Sequence, residues 1–267
     1  MHIKTLTHPS GGRLFVLGEL YGHFPALRHW MQSVSFKTHV DKIVLLGNFL
    51  GYAASSRQAH HYLSLPWVHA VLGEHEAAVL ARLDDTADAP CRSLIGQWCA
   101  GMATSERVLL QRSLLNLPVA LELHTEDGLM VLSSRPLAED SSWDTLKAKI
   151  AQAASRREAL GLFMSRLGTL KCLGQMPGAS MRPAVGVSWS LSAFSLEAPR
   201  RSHIKKHNRI ILTGSTSTAQ GPEYNHASLL PSLEINDFSL SQVKPCETLL
   251  DVRPALYPTM NWNTSMH

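Results

Sequence analysis

Apolar and polar positions along the first ninety residues fall into two alternating patterns. Leu14-Phe15-Val16-Leu17 is an apolar run stopped by Gly18. Ile43-Val44-Leu45-Leu46 stops at Gly47, and Val68-His69-Ala70-Val71-Leu72 stops at Gly73. Short, largely apolar runs ended by glycine predict strands buried on both faces. Between the first two runs, Phe24, Leu27, Trp30, Met31 and Val34 recur at helical spacing, with Pro25 suited to a first turn. Residues 58–65 predict a second, shorter helix. Strand and helix in repetition predict an α/β fold with parallel strands.

The pattern then changes. Asp84, Asp85 and Asp88 open a polar loop, and residues 93–115 predict a helix. Residues 119–123 and 129–132 flank Glu126-Asp127-Gly128, which predicts a hairpin. Residues 143–163 predict another helix, with Trp143, Leu146 and Ile150 on one face. The Gly-, Pro- and Ser-rich stretch 173–199 reads as irregular, while 209–213 and 233–243 read as strands. The expected organisation is an N-terminal extension over 1–12, one domain over 13–253 and a loose tail over 254–267.

Composition narrows the function classes. A hydrophobic fraction of 45% against 17% charged residues excludes a disordered chain. No apolar run approaches the roughly 18 residues of a membrane span, and no secretory signal pattern is read at the start, so a cytoplasmic protein is expected. Cys91, Cys99, Cys172 and Cys246 form no C-x-x-C pair, so neither a zinc site nor a disulfide framework is expected. A net charge of +4 is too small to point to nucleic acid. The basic segment Arg200, Arg201, Lys205, Lys206 and Arg209 is the one candidate for an acidic partner, and no aromatic residue interleaves it as base stacking would need.

In α/β sheets, ligands sit at the carboxyl ends of strands. Those ends read Gly18-Glu19-Leu20-Tyr21-Gly22-His23, Gly47-Asn48-Phe49-Leu50-Gly51-Tyr52 and Gly73-Glu74-His75-Glu76. Their order and spacing resemble the metal-dependent serine/threonine phosphatases of the PPP type, especially the small bacterial and phage members. That family carries G-D-x-H-G, G-D-x-x-D-R-G and G-N-H-E after successive buried strands. Leu117 to Leu123 followed by Val131-Leu132-Ser133-Ser134, and Ile210-Ile211-Leu212-Thr213-Gly214-Ser215-Thr216, resemble its two later metal-binding strands. The resemblance implies a calcineurin-like metallophosphoesterase fold, a central two-sheet β-sandwich flanked by helices.

The chemistry departs from the framework. In the family, acidic, imidazole and amide side chains hold two divalent metals that generate a hydroxide and polarise the phosphate. Position by position, Glu19 replaces the first Asp, Tyr21 the first His, Asn48 the bridging Asp and Glu74 the metal-binding Asn. Ser134 (or Ser133, one residue earlier) and Ser215 replace the later histidines. Gly51 replaces the second acid of the middle motif, and Tyr52 its phosphate-binding Arg. Only His75, at the general-acid position, and Glu76 remain. Two dications roughly 3.5–4 Å apart need a bridging anion, which neutral Asn48 does not supply. Tyrosine and serine hydroxyls are poor substitutes for imidazole on such metals.

The expectation is therefore a pseudophosphatase: no cofactor, a vestigial His75 and Glu76, and a protein partner bound in a regulatory or scaffolding role. Two rivals remain open. One is an active phosphoprotein phosphatase with a rearranged site holding Mn or another divalent metal through Glu19, Glu74 and His75 or His23; His226 is a further spare imidazole. The other is a binder of nucleic acid or an acidic partner through residues 200–209. His60 and His61 occupy adjacent helical positions and are not expected to chelate.

Overall fold

The computed structural model describes residues 2–7, 11–84, 97–125, 128–138, 142–163, 184–196, 203–206, 209–215, 228–229, 232–235, 244–245 and 249–250. The apolar runs become strands β1 (Ile3–Leu6), β2 (Leu14–Leu17), β3 (Lys42–Leu45), β4 (Val68–Ala70), β5 (Ala120–Thr125) and β6 (Gly128–Ser133). Further along lie β7 (Trp189–Leu196), β8 (His203–Lys206), β9 (Arg209–Ser215), β10 (Ser228–Leu229), β11 (Ser232–Ile235), β12 (Lys244–Pro245) and β13 (Leu249–Leu250). Helices are α1 (Phe24–Ser33), α2 (Ala59–Leu63), α3 (Glu74–Leu83), α4 (Thr104–Leu115), α5 (Trp143–Gln152) and α6 (Arg156–Gly161).

The strands form two large sheets and a short ribbon. One sheet runs β12-β11-β2-β3-β4, with β2, β3 and β4 parallel. The other runs β1-β5-β6-β7-β9-β8, and β10 pairs with β13. Side chains alternate across a strand, so each sheet presents two apolar faces. Leu14, Val16, Val44 and Leu46 pack with Leu121, Leu123, Met130 and Leu132 in one buried cluster between the sheets. Phe15, Leu17, Ile43 and Leu45 face the other way, into a cluster with Leu27 and Trp30 of α1. Phe15 meets Trp30 edge-on at 5.1 Å between ring centroids. This double burial explains why β2 is apolar throughout. At the strand starts, Asp41 is 2% exposed and accepts from the Arg13 amide and guanidinium and from the Lys37 amide, tying β2 to the chain entering β3.

The predicted α/β sandwich is present, and four details differ. The stretch read as irregular over 173–199 contains β7, which lies inside the larger sheet between β6 and β9. Its residues 173–183 and 197–199 lie outside the described residues. The single helix expected over 143–163 is two, because Ser155 caps α6: its hydroxyl accepts from Glu158 N, while Glu158 accepts from Ala154 N. Within 93–115, the helix covers only Thr104–Leu115 and is preceded by a short 3-10 turn at Gln97–Cys99. Finally, β1 lies in the 1–12 segment set apart from the domain, yet pairs in parallel with β5 from Ile3↔Ala120 to Leu6↔Leu123.

Where it is described, the basic segment is strand. Lys205 and Lys206 lie on β8, the edge of the larger sheet, paired antiparallel to β9 with Lys206 opposite Arg209. Lysines on an edge strand disfavour further strand pairing. Arg200, Arg201, His226 and the expected 254–267 tail lie outside the described residues.

Candidate functional site

Parallel β2, β3 and β4 end side by side, which brings their three glycine-led junctions together. Backbone bonds join the first two: Tyr21 N donates to Asn48 O at 2.9 Å and Gly22 N to Phe49 O at 2.6 Å. The third is joined by Glu76, in the first turn of α3. Its carboxylate accepts from Asn48 N at 2.7 Å, Leu50 N at 2.8 Å and Gly73 N at 2.9 Å. Glu76 is 0% exposed, so these amides would otherwise lose water without replacement. Tyr21 and Asn48 both adopt left-handed backbone, with φ of 49° and 50°. Asn tolerates that region, whereas for Tyr it stores strain of the kind found at functional sites.

The positions singled out by the resemblance have these partners. The Asn48 side-chain amide donates to Glu19 Oε1 at 2.6 Å, and its oxygen accepts from His75 N at 3.2 Å. Glu74 pairs with Arg135 at 2.5 Å. Tyr21 and Tyr52 both meet the His75 ring edge-on, at 5.0 and 6.4 Å between centroids. Ser134 is buried beside Gly47, where an added Cβ would come within 2.8 Å of the Ser134 Cβ. Ser133 donates to the Arg135 carbonyl at 2.7 Å. Ser215 ends β9, and its side chain lies outside the described residues. His23 precedes α1. His60 Nδ1 lies 2.9 Å from the Arg57 carbonyl and His61 packs against Tyr62, consistent with their facing different ways.

Gly51 sits where the loop leaves no room for a side chain. A Cβ there would lie 2.7–2.9 Å from the Tyr21 carbonyl and Cα, all backbone. Trp98 Nε1 closes the other side by donating to the Gly51 carbonyl at 2.6 Å. Gly51→Ala is expected to destabilise the protein by about 1–3 kcal/mol through overpacking. Chemical denaturation measures this, and a neutral result would show that the junction yields.

Burial dominates the electrostatics. The His75 imidazole is held down to about 4 by burial, against the Glu74 charge and the Leu50 carbonyl. Its Nδ1 has no hydrogen-bond partner. His69 on β4 is also lowered to about 4, by burial and then by Lys42 and Lys4. Burial lifts Glu76 to about 7, opposed by the Leu50, Asn48 and Gly73 amides. Between pH 4.5 and 6.5 the unfolded chain therefore takes up a proton at each of the two histidines, while the folded chain holds one at Glu76. The unfolded state binds about one more proton, so stability falls on acidification through this window. A series of urea midpoints is expected to drop from pH 6.5 to 4.5, and His75→Gln to flatten the slope. A midpoint that rises on acidification contradicts this assignment.

These side chains do not fit a pair of dications. The Asn48 position offers an N–H toward Glu19, where two metals would need a shared anionic oxygen. The Glu74 carboxylate is engaged by a guanidinium. Among the described residues, no three His, Cys, Asp or Glu side chains are placed to share a metal. Arg135 and Trp98 were missed in the sequence reading. Arg135 directly follows Ser134, but its pairing with Glu74 spans two junctions and has no local signal. Trp98 sits in a short turn far along the chain from the Gly51 carbonyl that it meets.

No protein-family model matches the chain, and no curated protein matches it in sequence. Solved structures do. A putative diadenosine tetraphosphatase superposes with a TM-score of 0.55 at 14% identity, covering 92% of this chain and 98% of the other. A Saccharomyces cerevisiae protein serine/threonine phosphatase, described as similar to human phosphatase PP5, superposes with a TM-score of 0.54 at 10% identity, covering 87% of this chain and 76% of the other. Likeness at these identities speaks to fold alone. The chain has the calcineurin-like metallophosphoesterase fold.

Proposed function

We propose that this chain is a pseudophosphatase: it keeps the phosphatase framework, holds no catalytic metals, and works by binding a protein segment at the three-junction crevice in a regulatory or scaffolding role. The observation that carries this reading is the Asn48 amide, which donates to Glu19 across the position where the resemblance places the metal-bridging acid. Supporting it, Tyr52 stands at the phosphate-binding Arg position and is exposed, and Tyr21 packs on His75. Aromatic residues in a crevice favour a protein segment, since Tyr is enriched at interface cores. A cytoplasmic setting and small phage or bacterial relatives belong to the same proposal. Among the described residues, no helix is long and apolar enough to cross a membrane.

The test is turnover by highly purified protein of p-nitrophenyl phosphate and a phosphoserine peptide, with Mn, Fe, Zn or Mg supplied in turn. No release of phosphate above buffer is expected. Turnover that follows protein concentration and disappears in Glu74→Ala or His75→Ala overturns the proposal and restores the rearranged-site enzyme.

A further inference from the structure

The two large sheets meet along one open flank, where β4 is the edge strand of one and β1 the edge strand of the other. A cavity of about 270 Å³ lies there, and none of the crevice residues lines it. Its size falls just under the roughly 300–1,000 Å³ of small-molecule sites, so it suits a small ligand rather than a nucleotide. Leu63, Leu117 and Leu121 give it apolar walls, while Lys4, His69 and Asn116 bring polar groups. Alternation along the strands explains how Lys4 and His69 come to face it. His69 lies opposite Val44, and Lys4 lies two residues before Leu6. Val44 and Leu6 both belong to the buried cluster between the sheets. His69 and Lys4 therefore project into the same gap at its open side.

His69 Nε2 is buried without a hydrogen-bond partner, and native proteins leave few such atoms unpaired. Burial and the charges of Lys42 and Lys4 hold this imidazole down to about 4, so it is neutral at pH 7 and donates from Nε2 in one of its tautomers. Lys42 is engaged, donating to the Thr7 carbonyl at 3.2 Å. Lys4 is exposed, and the ion pairs among the described residues do not include it. Among the described residues that line the cavity, none is Asp or Glu. We infer that this flank cavity binds a small carboxylate with a short apolar body, the carboxylate accepting from His69 Nε2 and pairing with the Lys4 ammonium while Leu63, Leu117 and Leu121 cover the body. An ionised acceptor makes stronger hydrogen bonds than a neutral one. Apolar walls favour a hydrocarbon body over inorganic phosphate, whose oxygens would be buried there without donors. The site is independent of the proposed function, since it neither requires nor excludes turnover at the crevice.

The test titrates isovalerate, its neutral amide isovaleramide and inorganic phosphate in turn into the full chain at pH 7. Long-range proton–nitrogen NMR follows the His69 imidazole, whose signals are identified by their loss in His69→Gln. Isovalerate is expected to shift them saturably, with half-saturation near about 1 mM, and isovaleramide to bind at least about tenfold more weakly. Lys4→Gln, at an exposed position and so safe for folding, is expected to remove most of that preference. Four outcomes each overturn the carboxylate site: no saturable shift at His69, equal binding of acid and amide, tighter binding of phosphate than of isovalerate, or isovalerate binding unchanged by Lys4→Gln.

Discussion

Glu76→Ala is expected to destabilise the protein by roughly 3–5 kcal/mol, or to prevent folding at physiological temperature. The reason is geometric. One carboxylate collects three backbone N–H groups, from Asn48, Leu50 and Gly73, and it is 0% exposed. Each amide left buried without an acceptor loses on the order of 1–3 kcal/mol, and relaxation lets water reach some of them. Glu76→Gln keeps one carbonyl oxygen and is expected to fall between the wild type and alanine. Guanidinium unfolding measures all three. A loss below about 1 kcal/mol for alanine would mean that the junctions are held by something other than Glu76. The resemblance makes this residue part of a catalytic motif. The structure makes it the tie between the junctions, a role that needs no metal chemistry around it.

Asn48→Asp is the second large effect, and its direction distinguishes a damaged enzyme from a rebuilt site. Restoring the acid that the resemblance calls for would repair a damaged metal site. In this structure it instead removes a donor and sets a carboxylate about where the amide now lies, 2.6 Å from Glu19 Oε1. Two carboxylates that close cannot both ionise without a large penalty. We expect a loss on the order of 2–4 kcal/mol at pH 7. The pair shares a proton at low pH, with one pKa raised, so the deficit grows as pH rises through that value and shrinks on acidification. Thermal unfolding of wild type and variant at pH 5 and pH 8, with and without millimolar Mn²⁺, checks this. A variant that is stabilised by Mn²⁺ would show that the remaining residues still form a metal site.

How much of this was readable beforehand depends on the range of the interaction concerned. The strands β2, β3 and β4 were legible because their faces are largely buried, so each run is mostly apolar, with Lys42 and His69 the partly buried exceptions, and each run ends at a glycine. Helix α1 was legible from its one apolar stripe, in which Phe24, Leu27 and Trp30 are buried. β7 was not, because it reads Trp-Ser-Leu-Ser-Ala-Phe-Ser-Leu, with Ser190 and Ser192 buried as well as Leu191 and Ala193. Buried serines in a central strand weaken the hydrophobic signal that identifies strands. β1 was missed for another reason: among the described residues its sheet partner is β5, more than a hundred residues away. The α5–α6 break was readable in principle, since Ser155 and Glu158 carry the capping-box spacing.

The site was legible in its positions and illegible in its contacts. The alignment of Glu19, Tyr21, Asn48, Gly51, Tyr52, Glu74, His75 and Glu76 to three junctions follows from order and spacing, and the structure brings those junctions together. That Asn48 bridges Glu19 to the His75 amide, or that Arg135 answers Glu74, depends on side chains meeting across the ends of different strands. No local pattern encodes such meetings. The Gly51 constraint is of the same kind, because the obstacle is the backbone of Tyr21, thirty residues earlier.

The central proposal is that the three junctions hold no metal. It is tested most directly by elemental analysis of protein purified without chelator, incubated with excess Mn²⁺ and then passed over a desalting column. Less than about a tenth of an equivalent of Mn per chain is the expected result, because a two-metal site requires a bridging anion that Asn48 does not supply. A stoichiometry near one or two, lost in Glu19→Gln or His75→Ala, would contradict the account and return the chain to the metal-dependent enzymes whose fold it shares.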